Sequence, residues 1–444
     1  MTPLGGIDSQ RGPTSIVVQA GRILIVPLLA LALIPLALTE LKFVSLHDLV
    51  GSAVPDVIFF EHAARGLFQG HLPYSSHFLS APDSRFVFVY PPLTLLLAVP
   101  PLLAGSSYAF GFAVELVVGL GLGLWLLGRA CRGDEIDVPV ALLAAVLLVA
   151  LGPLLFSRVD GLQGLALAGA ALALRGRRVS LAIALITLAA LVKETVIVAA
   201  VPVVVWALWQ PAGEGERNSR WRRLGEVGVG MVPAGLVLLV FAIWSRGRVF
   251  SAALASVHRG VEVESLAATI SYLTHPFMRL TSYVGRLASV QVAGPQVSLI
   301  AGVLTAGGVI VVVWGAVHFA RERRRPVTAI AFAVAVSLVA TPVFSPQYLL
   351  ALMPLLALAA ATEFAPGRAN LLLVLALATC LLTQLEFPYL FASVAALHYQ
   401  GMAVVALRNL VLIGIAVKLV QPVGEPALAP TVQAASSSLT SPTG

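Results

Sequence analysis

The feature that most limits how this chain can fold is a succession of apolar runs, each near the length of a bilayer crossing, divided by short arginine-bearing loops. About 20 apolar residues in helical conformation cross a hydrocarbon core roughly 30 Å thick. Within lipid, a helix satisfies every backbone N–H and C=O inside one segment. Such runs fall at about 23–41, 109–128, 138–156, 161–174, 226–244, 297–319, 327–343, 347–362, 370–385 and 401–419. Of 444 residues, 59% are hydrophobic and 11% charged, and mean hydropathy is +0.94. A soluble chain of this length would leave most of its surface apolar in water. The expectation is an all-α, polytopic membrane protein of about 12 spans, with interfacial helices in its first external loop.

The formal net charge of +7 does not point to nucleic acid here, because the Lys and Arg residues sit mostly between the apolar runs, where they report orientation. Arg22, Arg129 with Arg132, Arg175 to Arg178, Arg217 to Arg223, Arg321 to Arg325 and Arg368 are read as cytoplasmic. The intervening runs then pair into outward and returning crossings. Residues 1–22 are read as a cytoplasmic leader, 23–420 as one membrane domain, and the Pro/Ser/Ala-rich stretch 421–444 as a disordered cytoplasmic tail. The run 88–104 is interrupted by Pro91, Pro92, Pro100 and Pro101, and is expected to be half-inserted or re-entrant; a full crossing there would change the orientation of all that follows. The long run between Arg178 and Arg217 is interrupted at Lys193-Glu194 and is expected to be two short helices meeting outside at that pair. Two cysteines, Cys131 and Cys380, imply neither a disulfide framework nor a zinc site.

The first external loop, Pro55 to Pro92, is the earliest long polar interruption. It opens with Asp56. Val57, Phe59, Phe60, Ala64, Leu67 and Phe68 supply an apolar face, with Glu61, His62 and Arg65 opposite, the pattern of a helix lying in a membrane interface. With the charge-based orientation, the external ends of the spans collect further ionisable groups: Arg158 and Asp160; Lys193 and Glu194; His258, Arg259, Glu262 and Glu264; Glu386. Ser345, Gln347 and Tyr348 join them. Ionisable groups at such positions are costly unless they pair or line a wet cavity, so one external polar site is expected, the alternative being separate snorkelling charges.

There is no GxxxxGK[ST] loop, no Rossmann fingerprint, no HExxH, no Cys/His cluster and no GxSxG elbow, which argues against nucleotide chemistry and zinc hydrolysis. GLGLGLWLLG reads as a packing surface within an apolar helix. The remaining chemistry is acids and bases at an interface. Asp56 is the candidate general base for an acceptor hydroxyl. Lys193, Arg158, Arg259 and Arg65, with His258, are candidates to neutralise a phosphate by charge-assisted hydrogen bonds. Glu61, Asp160, Glu264, Gln347 and Tyr348 are candidates for sugar or acceptor contacts, and Gln347 with Tyr348 could equally cap a helix. No cofactor is expected, although Asp56 and Asp160 could together hold a divalent cation.

Four pieces of the sequence carry a family resemblance. They are Asp56 with Gly70, Pro73-Tyr74 and Tyr90-Pro91-Pro92-Leu93; Ser157-Arg158-Val159-Asp160 followed by Arg175-Gly-Arg177; Val192-Lys193-Glu194; and HRGVEVES at 258–265 with FSPQYLLALMP at 344–354. Over roughly 22–420 the chain resembles the GT-C membrane glycosyltransferases, and within them glycosyltransferase family 87, the polyprenol-phosphate-mannose-dependent mannosyltransferases. It departs from the family pattern at Lys193, which lacks the closely following Pro; the nearest is Pro202. The resemblance implies an inverting, single-displacement transfer of a sugar, most simply mannose, from a polyprenyl-phosphate donor. The acceptor would be a cell-envelope glycolipid or polysaccharide on the external face of a bacterial plasma membrane. Asp56 would be the base and the cations would grip the donor phosphate. Partners would be donor, acceptor and membrane lipids, with no nucleic acid. A multi-span lipid or sugar transporter or flippase is the alternative; the internal repeats common in transporters are not evident.

Overall fold

The computed structural model describes residues 55–75, 88–131, 137–209, 219–257, 259–274, 279–285, 289–322 and 325–421, with side chains for all of these except 55–56, 137–139, 219–220 and 255–257. The expected first span at 23–41, His258, the leader and the tail beyond 421 lie outside the described residues.

In chain order the helices are α1 (Pro55–Phe68), α2 (Pro92–Leu97), α3 (Tyr108–Cys131), α4 (Asp137–Val149), α5 (Asp160–Arg175), α6 (Val179–Val192), α7 (Ala200–Trp209), α8 (Ser219–Trp244), α9 (Arg248–Val257), α10 (Leu266–Leu273), α11 (Val297–Glu322), α12 (Pro326–Ala340), α13 (Leu349–Thr362), α14 (Pro366–Gln384), α15 (Phe391–Ala395) and α16 (Tyr399–Val420). Proline opens several of them, where its missing N–H costs nothing: Pro92 in α2, Pro326 in α12 and Pro366 in α14. Glu363 caps α12 by accepting the Val327 and Thr328 amides at 3.0 and 2.8 Å.

Five segments among the described residues are long and apolar enough to cross a membrane: Pro100–Cys131, Trp221–Trp244, Val297–Glu322, Pro366–Ala395 and Tyr399–Val420. Five shorter apolar helical segments, including Val179–Val192, Pro326–Ala340 and Pro346–Thr362, accompany them. The chain is thus a polytopic, predominantly helical membrane protein. α12 and α13 form its centre, with every residue from Leu349 to Ala360 buried. α8 and α11 instead turn Val232, Leu236, Leu239 and Ile243, and Leu299, Val303 and Ile310, outward. An apolar outer face on long helices is what lipid contact requires.

The sequence contains one feature that helical periodicity did not anticipate. Between α9 and α11 lies a three-stranded antiparallel sheet of β1 (Val261–Glu262), β2 (Thr281–Val284) and β3 (Val290–Ala293), in the order β1-β3-β2. β1 pairs Val261 with Val292 and Glu262 with Gln291. Its other edge is covered, since the Glu262 amide donates to the Pro342 carbonyl at 2.9 Å. Ser265 then caps α10, its hydroxyl accepting the Ala268 amide at 3.1 Å. These strands are two to four residues long, too short for an alternation signal to stand out in sequence.

The expected break of the 88–104 run is present as α2, six residues only. At 1.5 Å per residue a helix that short rises about 9 Å, far less than a bilayer core. The GLGLGLWLLG stretch does serve as a packing surface: a Cβ on Gly119 or Gly123 would meet Leu162 or Leu165 of α5 at 3.0 and 2.6 Å. Closer still, a Cβ on Gly164 of α5 would stand 2.5 Å from the Leu350 carbonyl of α13. Gly164→Val is therefore expected to lower stability by about 1–3 kcal/mol, as overpacking does, read as a reduced thermal midpoint in detergent. An unchanged midpoint would mean that α13 yields freely.

Candidate active site

α5 and α6 build the centre of the site. Asp160 opens α5, one turn ahead of Gly164, and its carboxylate is buried. α6 ends at Val192, and Lys193 leaves it with extended backbone (φ −158°, ψ 128°) before a 3-10 turn from Glu194 to Ala199 leads into α7. The expected interruption therefore falls at Lys193. Helix ends leave carbonyls short of intrahelical donors. Gln163 adds donors at this break: its side-chain amide donates at 2.7 Å to the Ala189 carbonyl, which also accepts the Lys193 amide at 3.1 Å, and at 2.8 Å to the Lys193 carbonyl. Thr94 of α2 adds a hydrogen bond to the Val192 carbonyl.

So held, Lys193 directs its ammonium to Asp160, at 3.1 Å from Oδ1 and 3.4 Å from Oδ2. Lys193 is 5% exposed and Asp160 1%. The ammonium also lies 4.2 Å from the centre of the Tyr348 ring and 5.9 Å from that of Tyr90. A buried charge persists when it is paired and otherwise enclosed by groups that favour it; the carboxylate and two aromatic faces provide that.

Two further cations approach the same place. Arg158 precedes α5 and is in electrostatic reach of Asp160, Tyr348 and Glu264; burial brings its guanidinium down to about 10, so it stays charged near neutrality. Arg259 pairs with Glu262 at 3.8 Å and acts on both Tyr348 and Tyr90. Glu262, on β1, is pushed up to about 7 by burial, against the pull of Arg259 and Lys193. Burial, with Glu386 and Glu262 adding to it, also raises Glu264 well above the ordinary carboxylate range. Among the described residues, Glu262 Oε2, Arg259 Nε and Gln163 Oε1 are buried without a hydrogen-bond partner. Buried polar atoms in that condition are costly. No group of three or more His, Cys, Asp or Glu that could hold a metal occurs among the described residues.

The apolar framework explains why these groups converge. Val159 and Val192 belong to a cluster with α1, α2, α3, α8 and α9; Val261 and Val263 belong to one with α10, α11 and α16; Phe344 and Tyr348 belong to the large central cluster. The charged residues thus sit where three packed units meet.

Of the sequence-predicted residues, the structure brings together Lys193, Asp160, Arg158, Arg259, Glu264 and Tyr348. Gln347 is buried beside Tyr348 in the Pro346–Tyr348 turn. Arg65 and Glu61 do not join the Lys193 contacts. They pair with each other at 2.7 Å across one turn of α1, half exposed, and Arg65 also reaches the Gly105 carbonyl. Asp56 lies at the start of α1, with its side chain outside those described; His258 lies outside altogether. α1 nonetheless approaches the centre through aromatic contacts, Phe60 lying 5.0 Å from Tyr90. Gln163 and Tyr90 were not among the expected site residues. The spacing of Gln163, three residues after Asp160 on the same helix face, was the available signal.

The model of glycosyltransferase family 87 matches residues 88–346, more than half of the chain. The chain belongs to glycosyltransferase family 87. No curated protein matches it. The matched span contains Arg158, Asp160, Lys193, Arg259, Glu262 and Glu264, and ends just before Gln347. Asp56 precedes it.

Proposed function

We propose that this family 87 glycosyltransferase takes its sugar, most simply mannose, from a polyprenyl-phosphate donor and passes it to a hydroxyl of a cell-envelope glycolipid or polysaccharide outside the membrane. The observation that carries the reading is the convergence of Lys193, Arg158 and Arg259 at the junction of membrane helices and the β1 loop. A phosphate offers charge and acceptor oxygens to such cations. Arg259 Nε is a donor for a phosphate oxygen, and Glu262, when protonated, is a second. The tail of a lipid-borne donor remains among apolar helices, which suits a chain of this hydropathy.

In the reaction, Asp56 accepts the proton of the acceptor hydroxyl as that oxygen attacks the anomeric carbon. The bond from that carbon to the phosphate oxygen breaks, and its electron pair leaves with the phosphate. Lys193, Arg158 and Arg259 stabilise the charge that develops there. A single displacement of this kind inverts the anomeric centre and uses one carboxylate base. Asp160 keeps Lys193 charged and in place, and Gln347 and Tyr348 are assigned to hold sugar hydroxyls. The test is transfer by purified protein in lipid nanodiscs from radiolabelled polyprenyl-phosphate mannose to extracted envelope lipids. Transfer from a nucleotide sugar alone would overturn the donor assignment.

A pH dependence follows from Glu262. Below about 7 it is protonated and leaves the charge of Arg259 and Lys193 available to the phosphate. Above that, its carboxylate competes for them. The donor KM is expected to be lowest below neutrality and to rise as pH passes through about 7. Glu262→Gln should keep the KM low and flatten that limb. A limb that survives in Glu262→Gln would assign the titration to another group.

A further inference from the structure

Beyond the family-matched span, the Leu385–Leu390 turn that follows α14 and the helix α16 contribute a buried ion pair, with no contact to Lys193 or Asp160 among the described residues. Arg408, in the middle of α16, is 0% exposed. Its guanidinium binds the equally buried carboxylate of Glu386. It also donates to the Glu264 carbonyl at 2.6 Å and lies 4.4 Å from the ring centre of Phe344. Its neighbour Asn409 accepts from Arg408 at 3.1 Å, and donates to the same Glu264 carbonyl at 3.3 Å and to Thr269 Oγ1 at 3.0 Å. The Thr269 hydroxyl donates to the Ser265 carbonyl at 3.1 Å.

These contacts converge on two segments, and both lead into the site. One is the turn from Glu262 to Ser265, which follows Arg259 and ends in the cap of α10. The other begins at Phe344, whose ring contacts that of Tyr348 at 6.2 Å; Tyr348 is the face over Lys193. A buried ion pair within a membrane helix is poor evidence for stability, since an apolar pair of similar volume often serves as well. An arginine fork that meets a carboxylate, a loop carbonyl and an aromatic face at once instead determines geometry.

We propose that Arg408, held by Glu386, is a positioning residue of the transfer site, fixing the Glu262–Ser265 turn and the Phe344–Tyr348 segment against α16 so that Arg259, Glu262 and Tyr348 close on Lys193. This rests on the donor-phosphate reading of that cluster. The double variant Arg408→Met/Glu386→Leu removes both charges together and leaves neither buried alone. It is expected to insert and remain monodisperse, with kcat for transfer reduced at least about tenfold, donor KM raised, and the pH limb assigned to Glu262 displaced. Amide exchange should accelerate across 261–269 and not in α4 or α5. Arg408→Lys keeps the charge without the fork and should recover only part of the loss. Asn409→Leu, which leaves the ion pair intact, should raise donor KM in the same direction and serves if the double variant does not fold.

Wild-type kcat, KM and pH profile in the double variant, or in Asn409→Leu where only that variant folds, would overturn the inference. Exchange that accelerates throughout the protein while turnover per folded molecule is unchanged would also overturn it. If the wild-type protein does not use polyprenyl-phosphate sugar, the donor reading fails. The clamp is then judged by exchange alone, and unchanged exchange at 261–269 overturns it.

Discussion

Lys193→Met is expected to reduce sugar transfer by about 10²–10³-fold or more, the scale seen when one preorganised donor to a developing oxyanion is removed. The ammonium is fixed by Asp160 on one side and by the Tyr348 face on the other. The loss should fall mainly on kcat, because the phosphate charge it meets grows as the sugar leaves. The substitution also strands Asp160, a carboxylate 1% exposed. Breaking a buried pair by removing one partner typically costs about 3–5 kcal/mol, so the thermal midpoint should fall as well. Lys193→Met/Asp160→Asn separates the two effects: it should recover most of the stability and none of the transfer. Lys193→Arg should not rescue, since a planar fork does not fill the position of a compact ammonium over a ring. Transfer assays and thermal unfolding on the same preparations make the comparison. A double variant that regained activity would remove Lys193 from the chemistry.

Asp56→Asn is expected to lower transfer by about 10²–10⁴-fold, the usual contribution of a positioned general base, with donor affinity nearly unchanged. Asp56 stands in the first turn of α1. One turn later Phe60 packs on Tyr90 at 5.0 Å, and Tyr90 lies 5.9 Å from the Lys193 ammonium. α1 is thereby linked to the cation cluster through the Phe60–Tyr90 contact. Single-turnover transfer from a radiolabelled donor, alongside equilibrium donor binding, distinguishes the roles. A wild-type single-turnover rate would exclude Asp56 as the base; weakened binding with normal chemistry would move it to the donor site.

Lys193 and Asp160 illustrate what can be read before folding is known. Each interrupts or opens an apolar run, and a charge in such a place must find a partner. That their partner is each other, across 33 residues of chain, follows from the close antiparallel packing of α5 on α6, which Gln163 locks at the helix break. Arg65 shows the opposite case. It shares a helix with Glu61 at i,i+4, and that local pairing, available to any solvated helix face, occupies it away from the Lys193 contacts. Arg408 was silent in sequence as a site residue, being one charge among the apolar residues of a long helix. Its importance arises from a carbonyl in another part of the chain.

What the amino-acid order determined alone is the solvent this protein lives in, the helical character of its spans, and the places where those spans are broken. Apolar periodicity, proline and charge act over a few residues, and the bilayer enforces them without reference to tertiary contacts. What only the tertiary structure decided is which of the scattered ions meet. Those meetings span 22 positions between Arg408 and Glu386 and 33 between Lys193 and Asp160, and Arg408 reaches the Glu264 carbonyl across 144. They depend on how three apolar clusters abut and on a short sheet whose strands carry almost no local signal. Long-range pairing of buried charge is set by packing, because only packing removes the competing water.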